Sequence, residues 1–415
     1  MRKAHTHNKP ELVSPAGSWA SLTTAVDSGA DAVYFGIKGL NMRKSAENFD
    51  LLQMEKVMDL VHSSGRKGYL ALNVLIYDRE TQKIEKILKE AKRCGVDAVI
   101  LWDMSVLTIA RELGLRTHLS TQASVSNFEA LKLYSSLGIS RAVLARECTL
   151  EDIRGISERA QREVIECGIE CFIHGAMCVS VSGRCFMSLG SFAKSANRGE
   201  CLQPCRREYL ITEKGPDGDC SYMLGEDYVL SPRDLCTMGF FEKMMTSGAE
   251  AFKIEGRMRS ADYVGAVTSA YREAIDAYYE GNLTDVLKSR LWSRLGRAFN
   301  RGFSEGFYFG RPEDTGGVSS RDYEKIYIGE VRKFYKKIGV AEVRFTCGPL
   351  ERGQTILVTG KTTPASFARV EEMEIEHTRV DNVAKGESAG VRLPFEARPR
   401  DKVFLWVPKE KGGND

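Results

Sequence analysis

Cys171, Cys178 and Cys185 crowd the stretch "ECFIHGAMCVSVSGRCFMS", and Cys201 and Cys205 follow in "NRGECLQPCRREY". A thiolate can attack a carbonyl, form a disulfide or ligate a metal. Cys178, Cys185, Cys201 and Cys205 lie in a region rich in glycine and serine rather than in helix cores. Four thiolates are what an iron–sulfur cluster requires, and they would also suit zinc. Their irregular separations lack the paired C-x2-C knuckles of many zinc sites, which favours a cluster. Gly183 and Gly199 would let the backbone bend around an inorganic core. Arg184, Arg198 and Arg206 would offset its negative charge. Cys236, in "SPRDLC", is a fifth candidate. Cys94, Cys148, Cys167, Cys220, Cys347 and the strand-interior Cys171 read instead as small buried hydrophobes.

Other residues carry other chemistry. A cysteine protease needs a histidine base beside its thiolate. Of six histidines, only His174 could approach Cys178, and His118 falls near a strand end. No H-E-x-x-H zinc motif occurs. Arg257 in "KIEGR", with Lys253, could hold an anionic substrate through its planar fork, unless Glu255 pairs with either. Arg290, Arg294, Arg297 and Arg301 recur at helical spacing and make one basic face suited to phosphates. Phe303, Phe307, Tyr308 and Phe309 follow, available either to stack on an unpaired base or to pack between domains.

The elements that must position these residues alternate regularly over the first 180 positions. "ELVSPAG", "DAVYFGI", "KGYLALNVLI", "DAVILWD", "RTHLSTQAS", "RAVLARE" and "IECFIHGAM" read as strands, apolar on both sides as in a covered parallel sheet. Amphipathic helices separate them and end at glycine. The eighth strand, "AFKIEGR", follows only after a long excursion. Eight βα units predict a (β/α)8 TIM-like barrel, with an open doubly wound sheet as the alternative. Polar residues gather at the C-terminal strand ends, among them Asn73, Ser120, Gln122 and Arg146, where barrel active sites sit. The cysteine-rich stretch leaves from the same rim. The domain reading is a catalytic barrel over 1–315 with a cysteine-rich insertion at 178–250. Short strands without helices then predict a small closed β-barrel over 322–410, similar to the β-barrels of translation factors.

Composition sets bounds. The 415 residues include 43% hydrophobic and 28% charged, with a formal net charge of +3, which excludes a highly basic nucleic-acid coat protein. The opening "MRKAHTHNKPELVSPAGS" has no apolar stretch of signal-peptide length, and no run long enough to span a membrane occurs. The expectation is a cytoplasmic protein whose eleven cysteines stay reduced rather than forming a disulfide framework.

The stretch from Glu170 to Ser188 resembles, without a departure, the signature of the collagenase-like peptidase family U32. "NRGECLQPCRREY", "SPRDLC" and "FKIEGRMRS" are similar to further blocks of that family, and the resemblance covers about residues 10 to 280. Several members are oxygen-independent hydroxylases bearing an iron–sulfur cluster. Those of this length with a C-terminal barrel resemble the tRNA 5-hydroxyuridine synthases. The resemblance therefore implies an RNA-modifying hydroxylase that forms 5-hydroxyuridine at the wobble uridine. It implies a [4Fe–4S] cluster on Cys178, Cys185, Cys201 and Cys205 as an iron–sulfur loop insertion, with Cys236 able to replace one ligand. Prephenate is implied as a co-substrate and the tRNA anticodon loop as partner. His174, Glu255 and Arg257 are the candidate catalytic residues. The rival readings are a collagenase-like endopeptidase and a non-catalytic, cluster-bearing RNA-binding scaffold that could also take a protein partner.

Overall fold

The computed structural model describes residues 9–207, 209–215, 218–224, 233–310, 323–360 and 362–408. Six strand–helix steps and a seventh strand come first: β1 (Glu11–Ala16), α1 (Trp19–Asp27), β2 (Ala32–Phe35), α2 (Met54–Ser63), β3 (Lys67–Ala71), α3 (Thr81–Arg93), β4 (Ala98–Leu101), α4 (Met104–Glu112), β5 (Thr117–Leu119), α5 (Phe128–Ser136), β6 (Arg141–Val143), α6 (Leu150–Arg162) and β7 (Gly168–Ala176). An excursion holds α7 (Met187–Phe192), a hairpin of β8 (Tyr209–Gly215) and β9 (Gly218–Leu224), β10 (Asp234–Cys236) and α8 (Phe241–Met245). Then come β11 (Ala251–Ile254), α9 (Ala261–Tyr279), α10 (Asp285–Arg297) and β12 (Phe303–Ser304). Strands β1 to β7 pair in order and in parallel. β11 pairs in parallel with both β1 and β7, which closes an eight-stranded barrel.

Local signals explain these elements. β2 and β4 are buried at all four positions, as strands covered on both faces must be. Ser18 caps α1 by accepting from the Ser21 N–H, and Asn127 caps α5 from Ala130. Thr149 and Asp152 form a reciprocal capping box on α6.

Two apolar sets divide the barrel. The larger packs the sheet against its helices, through residues such as Leu12, Phe35, Leu70 and Tyr271. The smaller fills the lumen, where Val13, Ala32, Ala98 and Ala251 leave room for Tyr34 and Tyr69. Below the tyrosines the lumen is ionic. Arg141 lies 2.7 Å from Glu11 and 3.4 Å from Glu170, and Lys253 lies 2.7 Å from Glu170. Burial pushes the Glu11 carboxyl up, but Arg141, Lys67 and the Tyr69 hydroxyl outweigh it and bring it to about 2. Among the described residues this part of the lumen is filled by side chains.

The remaining strands are β13 (Tyr323–Tyr335), β14 (Val340–Phe345), β15 (Leu350–Glu351), β16 (Thr355–Thr359), β17 (Ser366–Arg369), β18 (Met373–Ile375), β19 (Thr378–Arg379), β20 (Asn382–Val383), β21 (Ser388–Arg392) and β22 (Lys402–Pro408). Eight of them form an antiparallel sheet in the order β17-β16-β22-β13-β14-β21-β18-β19. It has its own core, including Ile328, Val343, Phe345, Ile356 and Val403. It touches the first body where the Ala365 N–H donates to Thr24 Oγ1 on α1 at 2.9 Å. Among the described residues, no helix is long and apolar enough to cross a membrane.

The excursion corrects one sequence expectation. Among the described residues, no group of three or more His, Cys, Asp or Glu side chains is arranged to hold a metal ion, so it is not an iron–sulfur loop insertion.

Candidate active site at the barrel mouth

A cavity of about 230 Å³ opens at the C-terminal mouth. Its walls come from several strand ends and from the excursion that crosses them, the arrangement in which barrel enzymes place their chemistry. Glu255, just past β11, sits at its centre. Arg43 approaches Glu255 Oε1 through Nη2 at 3.1 Å and donates from Nε at 3.2 Å. Arg146 Nη2 lies 3.4 Å from Oε2 on the other side. Arg257 stacks over the Tyr34 ring at 5.6 Å and donates to Asn41 Oδ1 at 3.1 Å. Burial pushes the Glu255 carboxyl up. Arg43, Arg146 and Arg257 together reverse this and hold it below its ordinary range. Burial, helped by the like charge of Arg43, brings Arg257 down to about 10, against the opposing pull of Tyr34 and Glu255.

The charge count is the informative feature. Three guanidiniums face one carboxylate in a cavity with few competing anions. The site can therefore bind an anion and orient it through planar, bidentate donors. A polar wall stands opposite. Asn73 Nδ2 donates to Ser120 Oγ at 3.2 Å, and Gln122 Nε2 to the Asn73 carbonyl at 3.3 Å. Such amide edges can read hydrogen-bonding groups on a ligand. Lys253 is spent elsewhere, since it pairs with Glu170 in the lumen.

Cys178, Cys185, Cys201 and Cys205 all line this cavity. Three of them are nevertheless held by their own loops. Cys178 Sγ lies 3.1 Å from Ser180 Oγ. Cys185 Sγ accepts from the Met187 N–H and Cys201 Sγ from the Gln203 N–H, both at 3.3 Å. Burial raises the thiols of Cys201 and Cys205 above their ordinary value. The sulfurs thus share a cavity without forming a metal-holding group among the described residues. The expected [4Fe–4S] cofactor is corrected on this ground. With it falls the iron–sulfur-dependent, oxygen-independent hydroxylase that would have formed 5-hydroxyuridine with prephenate as co-substrate.

His174 is not brought to the cavity. The pairing of β7 with β11 shifts register at Lys253/Ile254, and His174 follows the shift. It packs against Tyr263, Tyr271 and Phe303, with Nδ1 3.4 Å from the Tyr271 hydroxyl. Burial, with the nearby Arg259 charge, lowers its pKa to about 3, so it is neutral. His118 is also buried, edge-on to Tyr69 at 4.7 Å. Neither ring is set as a base for Cys178.

The basic face of α10 is largely spoken for. Arg294 lies 2.8 Å from Glu273, which Arg290 also contacts. Arg301 lies 3.5 Å from Asp234. Of the aromatics that follow, Phe303 packs on Trp292 and the buried Tyr308 donates to the Phe172 carbonyl. Phe309 rests on Phe240 at 4.8 Å. These rings pack within the first body, not between domains as the sequence suggested.

Sequence reasoning missed Arg43. It sits in the loop after β2, outside any strand end. Its signal was the run "NMRKSAEN", a polar, basic loop of that length directly over the rim. Asn41 and Asn48 of the same run tie the loop down. Asn41 Nδ2 donates to the Ile37 carbonyl at 2.6 Å and Asn48 Nδ2 to the Arg43 carbonyl at 2.9 Å.

Comparison with known proteins agrees with this geometry. The model of peptidase family U32 matches residues 17–317, which hold every strand of the first barrel after β1. The chain belongs to peptidase family U32. It is 41% identical to a Methanocaldococcus jannaschii protein named "Uncharacterized protease MJ0090", over 95% of this chain and 98% of that one. It is 38% identical to a Porphyromonas gingivalis protein named "Collagenase", over 97% of this chain and 99% of that one. It is 36% identical to the Bacillus subtilis "tRNA hydroxylation protein P1", over 78% of this chain and 75% of that one. This U32 chain is thus homologous both to collagenase-like proteins and to a protein named for tRNA.

Proposed function

We propose that this U32 protein is an enzyme acting on RNA, with the barrel mouth receiving one unpaired nucleotide of a structured RNA such as a tRNA anticodon loop. The observation that carries this reading is the excess of guanidinium over carboxylate around Glu255. A nucleotide supplies the anion for Arg43, Arg146 and Arg257, and its base edge meets Asn73 and Gln122. Looped RNA suits the site because its bases can be splayed out of the helix. Likeness to a protein named for tRNA supports the choice of polyanion. The test is anisotropy of a labelled tRNA anticodon stem–loop titrated with the protein at several salt concentrations. Single-stranded contacts give a slope of about 0.7 per phosphate engaged. Arg146→Ala should weaken binding and lower that slope. No binding of any RNA at low salt refutes the reading.

A second reading, thiol-dependent peptide hydrolysis, is favoured by the end-to-end likeness to the protein named collagenase. Here Cys178 would attack the scissile carbonyl and Arg43 would steady the developing charge. Among the described residues no histidine stands ready as base, so this reading ranks second. Gelatin cleavage that survives purification and disappears in Cys178→Ser would promote it.

A further inference from the structure

The excursion's first stretch, residues 178–207, covers the cavity and faces both ways. Its four cysteines line the inside. Between them stand large apolar side chains turned to solvent: Phe186 is 73% exposed, Leu202 46% and Leu189 41%. Phe186 lies between Cys185 and Met187, which both line the cavity. Apolar groups on a covering segment would normally turn inward, so several large ones left exposed on one short segment point to a contact surface.

Charge says what kind of contact. The stretch carries Arg184, Lys194, Arg198, Arg206 and Arg207 against Glu200 alone. Glu200 is taken by Lys44 at 2.7 Å, and Arg198 by Glu80 at 2.9 Å. Among the described residues no ion pair engages Arg184, Lys194 or Arg207, and all three are exposed. Two of these cations sit on rings, Arg207 over Phe192 at 4.6 Å and Arg184 over Trp102 at 5.9 Å. Arg184 also donates to Ser124 Oγ at 3.0 Å. Rings interleaved with unpaired cations are the surface that single-stranded nucleic acid needs, because every base offers a π-face and every linkage a negative charge.

We infer that the outer face of residues 178–207 is a platform for the unpaired RNA flanking the nucleotide in the cavity. Phe186 stacks a base, and Arg184, Lys194 and Arg207 take phosphates. The inference rests on the RNA reading above and adds to it a second contact surface, outside the cavity.

The test uses the full chain and a labelled unpaired RNA of about a dozen nucleotides, a length that fits known single-strand sites. Phe186→Ala should weaken binding roughly tenfold with the salt slope unchanged, and Phe186→Tyr should restore it. Changing Arg184, Lys194 and Arg207 together to alanine should lower the slope by about 2. All four side chains are exposed, so these variants should fold, and unchanged melting confirms it. If the native protein binds RNA while both variants bind as tightly as it does, the platform is overturned and the cavity reading survives. If the native protein binds no RNA, both fail. If Phe186→Ala instead abolishes binding of a gelatin peptide and leaves RNA untouched, the surface belongs to peptides and the inference is wrong.

Discussion

Replacing Glu255 by glutamine keeps the shape of the buried centre and removes the one carboxylate that lines it among the described residues. Arg43 reaches Oε1 by two nitrogens, at 3.1 and 3.2 Å, and Arg146 reaches Oε2 at 3.4 Å. Breaking a buried ion pair by deleting one partner costs about 3–5 kcal/mol. Glutamine keeps one carbonyl acceptor, so the expected loss is nearer to about 2–3 kcal/mol. The urea midpoint should fall with little change in slope. The distinctive expectation is its rescue. Three guanidiniums without their carboxylate form a stronger anion site, so added phosphate should stabilise Glu255→Gln more than the native chain. Equal phosphate stabilisation of both proteins would refute the view that Glu255 sets the charge balance of the cavity. A stable variant with an unchanged midpoint would refute the buried-pair account itself.

Three further outcomes follow from the same geometry. Gly199 has φ +80, and a Cβ there would lie 2.1 Å from the Asn41 carbonyl oxygen, so Gly199→Ala should loosen the contact between cap and Arg43 loop by about 1–3 kcal/mol, seen as faster proteolysis of the cap. His174 should supply acid sensitivity: its folded pKa of about 3 lies below the ordinary 6.5, so the unfolded chain binds the extra proton and stability rises with pH across that window. The slope is at most about 1.4 kcal/mol per pH unit, and His174→Phe should flatten it in urea titrations between those limits. Arg290→Ala with Arg294→Ala should change RNA affinity less than Arg146→Ala does, because both side chains already contact Glu273; a larger loss in anisotropy would return α10 to the RNA surface.

The barrel was legible because its signals are local. Two-sided apolar strands alternate with amphipathic helices, the first five of which end at a glycine, and each signal is read within its own segment. The rim positions Asn73, Gln122 and Arg146 were legible for the same reason, since strand ends are visible in sequence. What failed depended on distance and register. The crowding of the cysteines was visible, but whether their sulfurs converge on one ion is not set by spacing, and Cys178, Cys185 and Cys201 each find a partner two residues away. His174 lies on the right strand, yet a single register shift moved it into an aromatic box. The basic face of α10 looked free because its partner, Glu273, belongs to the preceding helix. Arg43 was overlooked because loops carry no periodicity, although its guanidinium makes the closest contacts to Glu255.

The measurement that tests the central claim most directly is photocrosslinking of a thiouridine-substituted anticodon stem–loop to the native protein, with the joined peptides identified by mass spectrometry. The account predicts crosslinks at the barrel mouth, in the Arg43 loop and in residues 176–206, and their loss when phosphate or unlabelled RNA competes. Crosslinks confined to α10 or to the second sheet, or none above those of a non-binding protein, would contradict it.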